Sequence, residues 1–198
     1  PRDELYPHMT EFAANLRRSW RADEPDVVHA HFWMSGMAAL RAVPPGVPVA
    51  HTFHALGVVK QRYQGSLDTS PSARIETERM IANRADRIIA TCSDEVFELV
   101  REGVDRRRIS VVPSGVDVDA LRPDSPRWPN RRTRRLAVLG RLVPRKGADD
   151  VIRALVRLPD TELVIAGGPP PGELATDADA CRLRDLAERL GVSDQVRL

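Results

Sequence analysis

Apolar residues follow two different periodicities along this chain. In residues 3–22 the large apolar positions recur at steps of three and four, which predicts a helix with one apolar face. These positions are Leu5, Met9, Phe12, Leu16 and Trp20. Further along, short apolar runs each end at a polar or glycine-containing stretch. They read DVVHA, VPVAHTF, RIIATC, ISVVPSG, RLAVLG and LVIAGG, and one more begins at Val196. Because their apolar residues do not alternate with polar ones, these runs predict parallel strands buried on both faces.

Helical patterns separate the predicted strands. Helices are expected after FWMSG, over residues 73–85, from Ser93 as the N-cap, over residues 147–158 and in ADACRLRDLAERLG. The helix at Ser93 would bury Val96, Phe97 and Val100, and the helix over 147–158 would bury Val151, Ile152, Leu155 and Val156. Residues 61–72 are polar and irregular, which predicts a loop.

Strands that alternate with helices of this length predict an α/β fold with parallel sheets. The alternation is interrupted in residues 117–134 by three prolines and the run RWPNRRTRR, which predicts an interdomain linker. We therefore expect two doubly wound units of Rossmann-like type, one over residues 1–116 and one over residues 135–198.

Composition narrows the class of protein. The chain has 198 residues, of which 42% are hydrophobic and 29% charged, with a formal net charge of +2. No apolar run is long enough to span a bilayer, and no secretory signal is recognisable. Cys92 and Cys181 lie far apart without metal-type spacing, which predicts reduced thiols in a cytoplasmic protein. The net charge indicates no particular partner.

Polar side chains collect where the predicted strands end. His31 ends the first strand, His54 and then Lys60 follow the second, and Gly140 with Arg141 follows the strand RLAVLG. Open α/β sheets bind ligands at the carboxyl ends of their strands. The sequence therefore predicts a ligand site built by these residues.

The segment GRLVPRKG, residues 140–147, carries the sharpest local signal. Gly140 allows close backbone approach, Arg141 and Lys146 are cations on one loop, and the helix that begins at Gly147 favours an anion at its N-terminus. This combination favours a diphosphate over a solvated surface pair. It is not a P-loop, and no GxGxxG dinucleotide motif follows any strand.

The remaining candidates have competing interpretations. A zinc site built from histidines is conceivable, but no acidic or cysteine ligand accompanies them, so no metal is expected. His29 and His51 are expected to be buried structural histidines, and His54 to form hydrogen bonds or transfer protons. Lys60 and Arg74 would hold an anionic group of an acceptor, or would be solvated.

The basic run from Arg131 to Arg135 has two interpretations as well. It could attract anionic lipid or nucleic acid, but it has no interleaved aromatic residue and no amphipathic helix. We interpret it as a solvated linker and expect no nucleic-acid partner. Nothing else in the sequence indicates peripheral contact with a membrane.

Five segments in order resemble glycosyltransferase family 4, whose members are retaining enzymes with the two-domain GT-B fold. They are DVVHAHFWMSG, HTFHALGVVK, RIETERMIANRADRIIATCSDE, ISVVPSGVDVDALRP and LAVLGRLVPRKG, and they are most similar to the sucrose-phosphate-synthase-like and inositol-phosphate branches. The resemblance implies transfer of a sugar from a nucleotide-diphosphate sugar to an acceptor hydroxyl, with no cofactor and no metal.

The resemblance also implies roles for individual residues. Arg141 and Lys146, with Gly140, would bind the donor diphosphate, and His54 would contact the donor sugar near the reacting centre. The acceptor side would comprise His31, Lys60 and Arg74.

The chain departs from the inositol-phosphate branch at two positions. Phe32 replaces a tyrosine and Ala55 replaces a threonine, which leaves the acceptor open. The glycine-rich loop expected before residue 1 and the E-x7-E segment expected after residue 198 do not occur in this sequence, so we expect part of a longer protein that is inactive alone. A non-catalytic binding module or inactive remnant is the alternative. A Rossmann oxidoreductase is disfavoured by the missing dinucleotide motif.

Overall fold

A computed structural model describes residues 2–125 and 134–198 of the chain. The chain divides into two compact units, Pro1–Ala120 and Leu121–Leu198. The division falls within the stretch predicted as a linker. Residues 126–133 of that stretch, including Arg131 and Arg132, lie outside the described residues. Arg134 and Arg135, interpreted as part of a solvated linker, instead begin the first strand of the second unit.

The first unit contains a parallel sheet of four strands in the order β1-β2-β3-β4. The strands are β1 (Val28–His31), β2 (Val49–Thr52), β3 (Arg87–Ala90) and β4 (Ile109–Val111). The helices are α1 (Met9–Ala22), α2 (Trp33–Ala42), α3 (Gly57–Gln64), α4 (Arg74–Arg84) and α5 (Ser93–Arg101). Short 3-10 turns cover Arg2–His8, Gly65–Leu67 and Arg106–Arg108.

The second unit contains a parallel sheet of three strands in the order β5-β6-β7. The strands are β5 (Arg134–Leu139), β6 (Thr161–Ala166) and β7 (Val196–Arg197), and the helices are α6 (Ala148–Leu155) and α7 (Ala178–Arg189). Short 3-10 turns cover Pro144–Lys146 and Ser193–Gln195. Parallel strands joined through helices confirm the predicted α/β class.

Each unit has its own hydrophobic core. In the first, Trp33 of α2 and Ile81 of α4 pack against the sheet residue Ile88, with Phe53 and Leu99 buried in the same cluster. Full burial of one such side chain contributes about 1.5–3 kcal/mol. These contacts fix the strand ends that carry the histidines.

The second core is smaller and joins both helices to β6. Ile152 and Leu155 of α6, Leu163 of β6 and Leu183 of α7 are fully buried together. The core therefore fixes the loop that leads from β5 into α6.

The apolar face predicted for the first helix is only partly correct. Residues 2–8 form a 3-10 turn, and Leu5 and Phe12 are 50% and 43% exposed. Met9, Leu16 and Trp20 pack inward as predicted, and Ala13 lies on the same face. The small side chain of Ala13 permits the close approach of α1 to α2, which a search for large apolar residues overlooks.

The loop predicted over residues 61–72 is wrong in its first part, because α3 covers Gly57–Gln64. Its start is fixed by a tertiary contact: the carboxylate of Glu78 on α4 accepts a hydrogen bond from the Gly57 N–H at 2.7 Å. This contact satisfies one of the unpaired amides at the helix start. Lys60 therefore lies on a helix and not on a loop.

Two other predicted helix faces need correction. In α5 the N-cap is Cys92 instead of Ser93, and Phe97 and Val100 are 74% and 44% exposed while Leu99 is buried. In α6 the helix ends at Leu155, so Val156 is 56% exposed.

The strands are not all buried on both faces. Val28 and Ala30 of β1 are buried, while His29 and His31 are exposed. Most of β5 is exposed too, because it lies at the edge of the described sheet.

Candidate functional site

Two histidines meet at the carboxyl ends of β1 and β2. His31 ends β1 beside Thr52, the last residue of β2, and His54 follows two residues later. His31 Nδ1 lies 2.8 Å from His54 Nε2, a hydrogen-bond distance, and the two rings stack with centroids 5.1 Å apart. The structure therefore joins the predicted catalytic His54 to His31.

The backbone at this point adopts a conformation that side-chain-bearing residues rarely take. Phe32 has φ 70° and His54 has φ 61°. Such conformations cost about 1–3 kcal/mol and cluster at ligand sites. The Phe32 N–H donates to the Thr52 carbonyl at 2.9 Å, which holds the two strand ends together.

The surroundings of His31 disfavour its protonated form. Partial burial, reinforced by the neighbouring His29 and His54, lowers the pKa of His31. His29 and His31 rings lie 4.2 Å apart, and His29 Nε2 is 2.9 Å from Thr52 Oγ1. In the His31–His54 hydrogen bond one ring nitrogen donates and the other accepts, so the tautomers of the two rings are coupled.

His29 and His51 were both expected to be buried, and only His51 is. His29 lies on the exposed face of β1. His51 is fully buried, with both ring nitrogens shielded from solvent. Burial, with help from the other histidines, lowers the pKa of His51 to about 3. Gly36 of α2 lies so close that a Cβ there would come 2.5 Å from the His51 ring.

Arg74, predicted to bind the acceptor, is a buried part of the scaffold. Its Nε donates to Glu78 Oε1 at 2.7 Å and its Nη2 donates to the Ala55 carbonyl at 2.8 Å. Its guanidinium lies 5.3 Å from the centroid of the Phe32 ring. The structure thus brings together around Arg74 the two positions, Phe32 and Ala55, at which the sequence departs from the inositol-phosphate branch.

Lys60 has internal partners as well. Its Nζ lies 2.7 Å from Asp68 Oδ1 and donates to Ser70 Oγ at 2.9 Å. Burial alone would raise the pKa of Asp68, but hydrogen bonds from Lys60 and Ser70 outweigh it and lower that pKa to about 2. Arg74 Nη1 donates to the same Ser70 oxygen at 3.1 Å.

Ser70 therefore links the two cations that the sequence assigned to the acceptor. Because neither contact involves a ligand, their acceptor role stays a prediction. Sequence reasoning missed Asp68, Ser70 and Glu78. Of these, only Glu78 had a local signal, its i, i+4 spacing from Arg74.

In the second unit, glycines shape the loop that follows β5. The Gly140 N–H donates to the Ala166 carbonyl at 2.9 Å, so the ends of β5 and β6 lie side by side. A Cβ on Gly167 would come 1.9 Å from the Gly140 carbonyl oxygen, and Gly167 has φ 144°. Both features require glycine at position 167.

The cations of this loop are exposed. The side chains of Arg141, Arg145 and Lys146 form no hydrogen bond or ion pair with another described residue, whereas those of Lys60 and Arg74 do. The aliphatic stem of Lys146 passes over Gly140 at 3.7–3.9 Å from where a Cβ would stand. Residues 144–146 form a 3-10 turn, and Gly147, with φ 74°, is the N-cap of α6.

One residue that sequence reasoning missed holds this loop in place. Arg182 of α7 forms an ion pair with Asp149 in the first turn of α6, and its Nη2 donates to the Leu142 carbonyl at 2.9 Å. No periodicity in the sequence connects these positions, which are 33 and 40 residues apart along the chain.

The described residues contain no candidate metal-binding cluster and no candidate membrane-spanning helix. In residues 2–125 and 134–198, no three His, Cys, Asp or Glu side chains are grouped so as to hold a metal ion. Within the same ranges, no helix combines the length and apolar character needed to cross a membrane.

Comparison with known proteins identifies relatives. D-inositol 3-phosphate glycosyltransferase of Mycobacterium tuberculosis (strain ATCC 25618 / H37Rv) is 35% identical over 205 aligned positions, which cover 98% of this chain and 42% of that protein. The protein of that name from Mycobacterium bovis (strain BCG / Pasteur 1173P2) gives the same values. The chain thus spans less than half the length of these curated relatives.

Solved structures share the fold. Sucrose-phosphate synthase from Thermosynechococcus elongatus superposes with a TM-score of 0.82 at 24% identity, covering 100% of this chain and 50% of that one. Anabaena HepE in complex with UDP gives a TM-score of 0.68 at 18% identity, covering 93% of this chain and 50% of that one. These matches establish the predicted GT-B type of α/β fold.

The family itself follows from the first unit. A family model described as Glycosyltransferase Family 4 matches residues 1–120, more than half of the chain. The chain belongs to glycosyltransferase family 4.

Proposed function

We propose that the full-length protein transfers a sugar from a nucleotide-diphosphate sugar to an acceptor hydroxyl, with retention of anomeric configuration. The observation that carries this proposal is the Gly140–Lys146 loop, where Arg141 and Lys146 are exposed cations without partners in the described chain. Cations that have no internal partner are free to bind an anionic ligand.

The loop suits a diphosphate for three reasons. Gly140 has no side chain to block close approach, and Lys146 folds over it. The amides at the start of α6 carry a partial positive charge that favours an anion. Arg141 and Lys146 would stabilise the negative charge that develops on the diphosphate as it leaves the sugar.

The histidine pair would act on the sugar. A neutral His54 can donate or accept one hydrogen bond toward a sugar hydroxyl, and its bond to His31 selects which. His31 would therefore position His54, with the sugar contact made by His54 alone. The strained φ of His54 supports a ligand-contacting role.

The relatives suggest the chemical class of both substrates. A structural relative is described in complex with UDP, which supports a uridine diphosphate donor. The inositol 3-phosphate enzymes support a small, hydroxyl-rich acceptor. We propose further that the reaction needs no metal and takes place in the cytoplasm.

Calorimetric titration of the full-length protein with UDP tests the donor site. Arg141→Ala and Lys146→Ala should each weaken binding about 10- to 100-fold, as expected for loss of a charge-assisted hydrogen bond. Arg157→Ala, at an exposed arginine beyond the C-terminal end of α6, is the matched control and should change binding less than threefold. Unchanged UDP affinity in both variants would refute the diphosphate assignment.

The stereochemistry needs a separate experiment. Proton NMR of the product formed from an α-linked UDP-sugar should show an α-linked anomeric proton. A β-linked product would exclude retention, and UDP binding without any transfer would favour a non-catalytic binding module.

A further inference from the structure

An open groove lies between α3 and α5, beside the candidate catalytic histidine. It has a volume of about 500 Å³, and His54 forms part of its lining. Cavities of 300–1,000 Å³ are typical of small-molecule sites. The volume and the position of His54 suit a sugar-sized molecule whose reacting hydroxyl lies near that histidine.

Aromatic side chains line the groove from two helices. Tyr63 of α3 is 81% exposed and Phe97 of α5 is 74% exposed. Two exposed aromatic side chains in one groove offer apolar surface that a ligand can cover. Aromatic faces pack well against the C–H face of a pyranose or cyclitol ring, which has no net charge.

The polar groups of the groove disfavour an anion. Its described lining contains three carboxylates, Asp94, Glu95 and Glu98, and a single guanidinium, Arg62. That guanidinium is engaged by both oxygens of Glu98, at 2.7 and 2.8 Å. No cation of the described lining is therefore available to a phosphate.

The Glu95 carboxylate is held in place by hydrogen bonds to one of its two oxygens. Glu95 Oε2 accepts hydrogen bonds from the Thr91 N–H at 2.7 Å and the Thr91 hydroxyl at 2.8 Å. Glu95 Oε1 is buried and has no partner among the described residues. The fixed negative charge of this carboxylate in the groove lining disfavours an anionic ligand and favours one whose hydroxyl groups donate hydrogen bonds.

The two cations that the family resemblance assigns to the acceptor also form internal ion pairs. Lys60 is paired with Asp68, and Arg74 with Glu78. Moving either cation to a phosphate ester would leave its buried or half-buried carboxylate partner without compensation.

We propose that the α3–α5 groove, lined by Tyr63, Phe97, Glu95 and the Arg62–Glu98 pair, binds an uncharged polyhydroxylated acceptor ring and presents its hydroxyl at His54. This inference rests on the proposed glycosyltransferase function and specifies its acceptor. It differs from the phosphorylated acceptor that the names of the curated relatives suggest.

The test uses full-length protein and matched acceptor pairs. The donor is whichever of UDP-glucose, UDP-galactose and UDP-N-acetylglucosamine binds most tightly in calorimetry. Acceptors are glucose with glucose 6-phosphate, fructose with fructose 6-phosphate, and myo-inositol with its 1-phosphate, followed by mass spectrometry and by UDP release. We expect kcat/KM for the preferred neutral acceptor to exceed that of its phosphate at least tenfold.

Variants then locate the acceptor. Tyr63→Ala and Phe97→Ala should each raise KM for the neutral acceptor about three- to tenfold, the scale of one aromatic contact, with the dissociation constant of the donor unchanged. Tyr63→Phe, which keeps the ring, should restore most of the affinity. Leu67→Ala is the matched control, because Leu67 is 79% exposed and outside the groove.

The outcomes separate the two proposals. Absence of binding by every UDP-sugar defeats the glycosyltransferase proposal, and the acceptor inference with it. Intact donor binding combined with preference for phosphorylated acceptors, or with no transfer to any neutral one, overturns the acceptor inference alone. Unchanged KM in both aromatic variants also overturns it.

Discussion

Replacing Arg74 by methionine should destabilise the protein by a predictable amount that depends on pH. Arg74 and Glu78 are 4% and 5% exposed, and their ion pair is 2.7 Å long. Without Arg74, the Gly57 N–H is the one hydrogen-bond partner that the Glu78 carboxylate keeps among residues 2–125 and 134–198. Breaking one side of a buried pair costs about 3–5 kcal/mol.

The free-energy cost of leaving the Glu78 charge unpaired cannot exceed the cost of protonating that carboxylate, because protonation removes the charge. Burial already raises the pKa of Glu78 above its ordinary value of 4.5, against the opposing hydrogen bonds from Arg74 and Gly57. At pH 7, neutralising a carboxyl of ordinary pKa 4.5 costs about 3.4 kcal/mol, because each pH unit is worth 1.36 kcal/mol. The lost hydrogen bonds from the charged Arg74 to Ser70 and Ala55 add about 1.5–3 kcal/mol each.

The sign of the pH dependence follows from linkage. In the folded variant, Glu78 would keep its proton. In the unfolded chain, the same carboxyl releases that proton above its ordinary pKa of 4.5. The variant therefore regains stability relative to wild type as pH falls. Between pH 7 and pH 5 its deficit should therefore shrink, because the buried Glu78 carboxyl is protonated at less cost as the pH approaches its ordinary pKa.

Urea unfolding followed by tryptophan fluorescence measures the deficit, since Trp33 is 2% exposed in the same core. Arg79→Met is the matched control, because Arg79 is 50% exposed and pairs with Glu102 at 3.0 Å. Such a pair contributes less than about 1 kcal/mol at any pH. A deficit below 1 kcal/mol for Arg74→Met at pH 7, or one that does not change with pH, would refute the reasoning.

Three further predictions concern the sites. Because the pKa of His51 is lowered to about 3, the unfolded chain binds one more proton than the folded protein below about pH 6.5. Stability should then fall by about 2 kcal/mol from pH 6.5 to pH 5, and His51→Asn should flatten this slope. His31→Ala should lower kcat about three- to tenfold with unchanged UDP affinity, because His54 loses the hydrogen bond that orients it, and His31→Gln should recover part of the activity. Gly167→Ala should weaken UDP binding at least tenfold, since its Cβ would overlap the Gly140 carbonyl oxygen at 1.9 Å.

Each of these has a control within the chain. His8→Asn, at an exposed histidine, should leave the acid slope unchanged. Gly172→Ala meets no atom within 4 Å and should leave UDP binding unchanged. If His31→Ala weakens UDP binding as much as it lowers kcat, His31 acts on the whole site and not through His54.

The sequence identified the fold class because strand and helix periodicities are local properties. The runs DVVHAH and TELVIAGG contain the strands β1 and β6, and the helix patterns after them are α2 and α7. Prediction failed where a tertiary contact decided the outcome. The start of α3 depends on a carboxylate 21 residues away on α4, and the exposure of Phe97 depends on how α5 packs against β3 and β4.

For the sites, sequence alone determined which residue types stand at the strand ends: histidines after β1 and β2, and a glycine with two cations after β5. That follows from chain order, because a parallel sheet places all carboxyl ends at one edge. Only the tertiary structure decided which of these residues have partners. It pairs Lys60 with Asp68 and Arg74 with Glu78, joins His31 to His54, and leaves Arg141 and Lys146 without partners in the described chain. Such pairing depends on distances between side chains that are far apart in sequence, which no local pattern encodes.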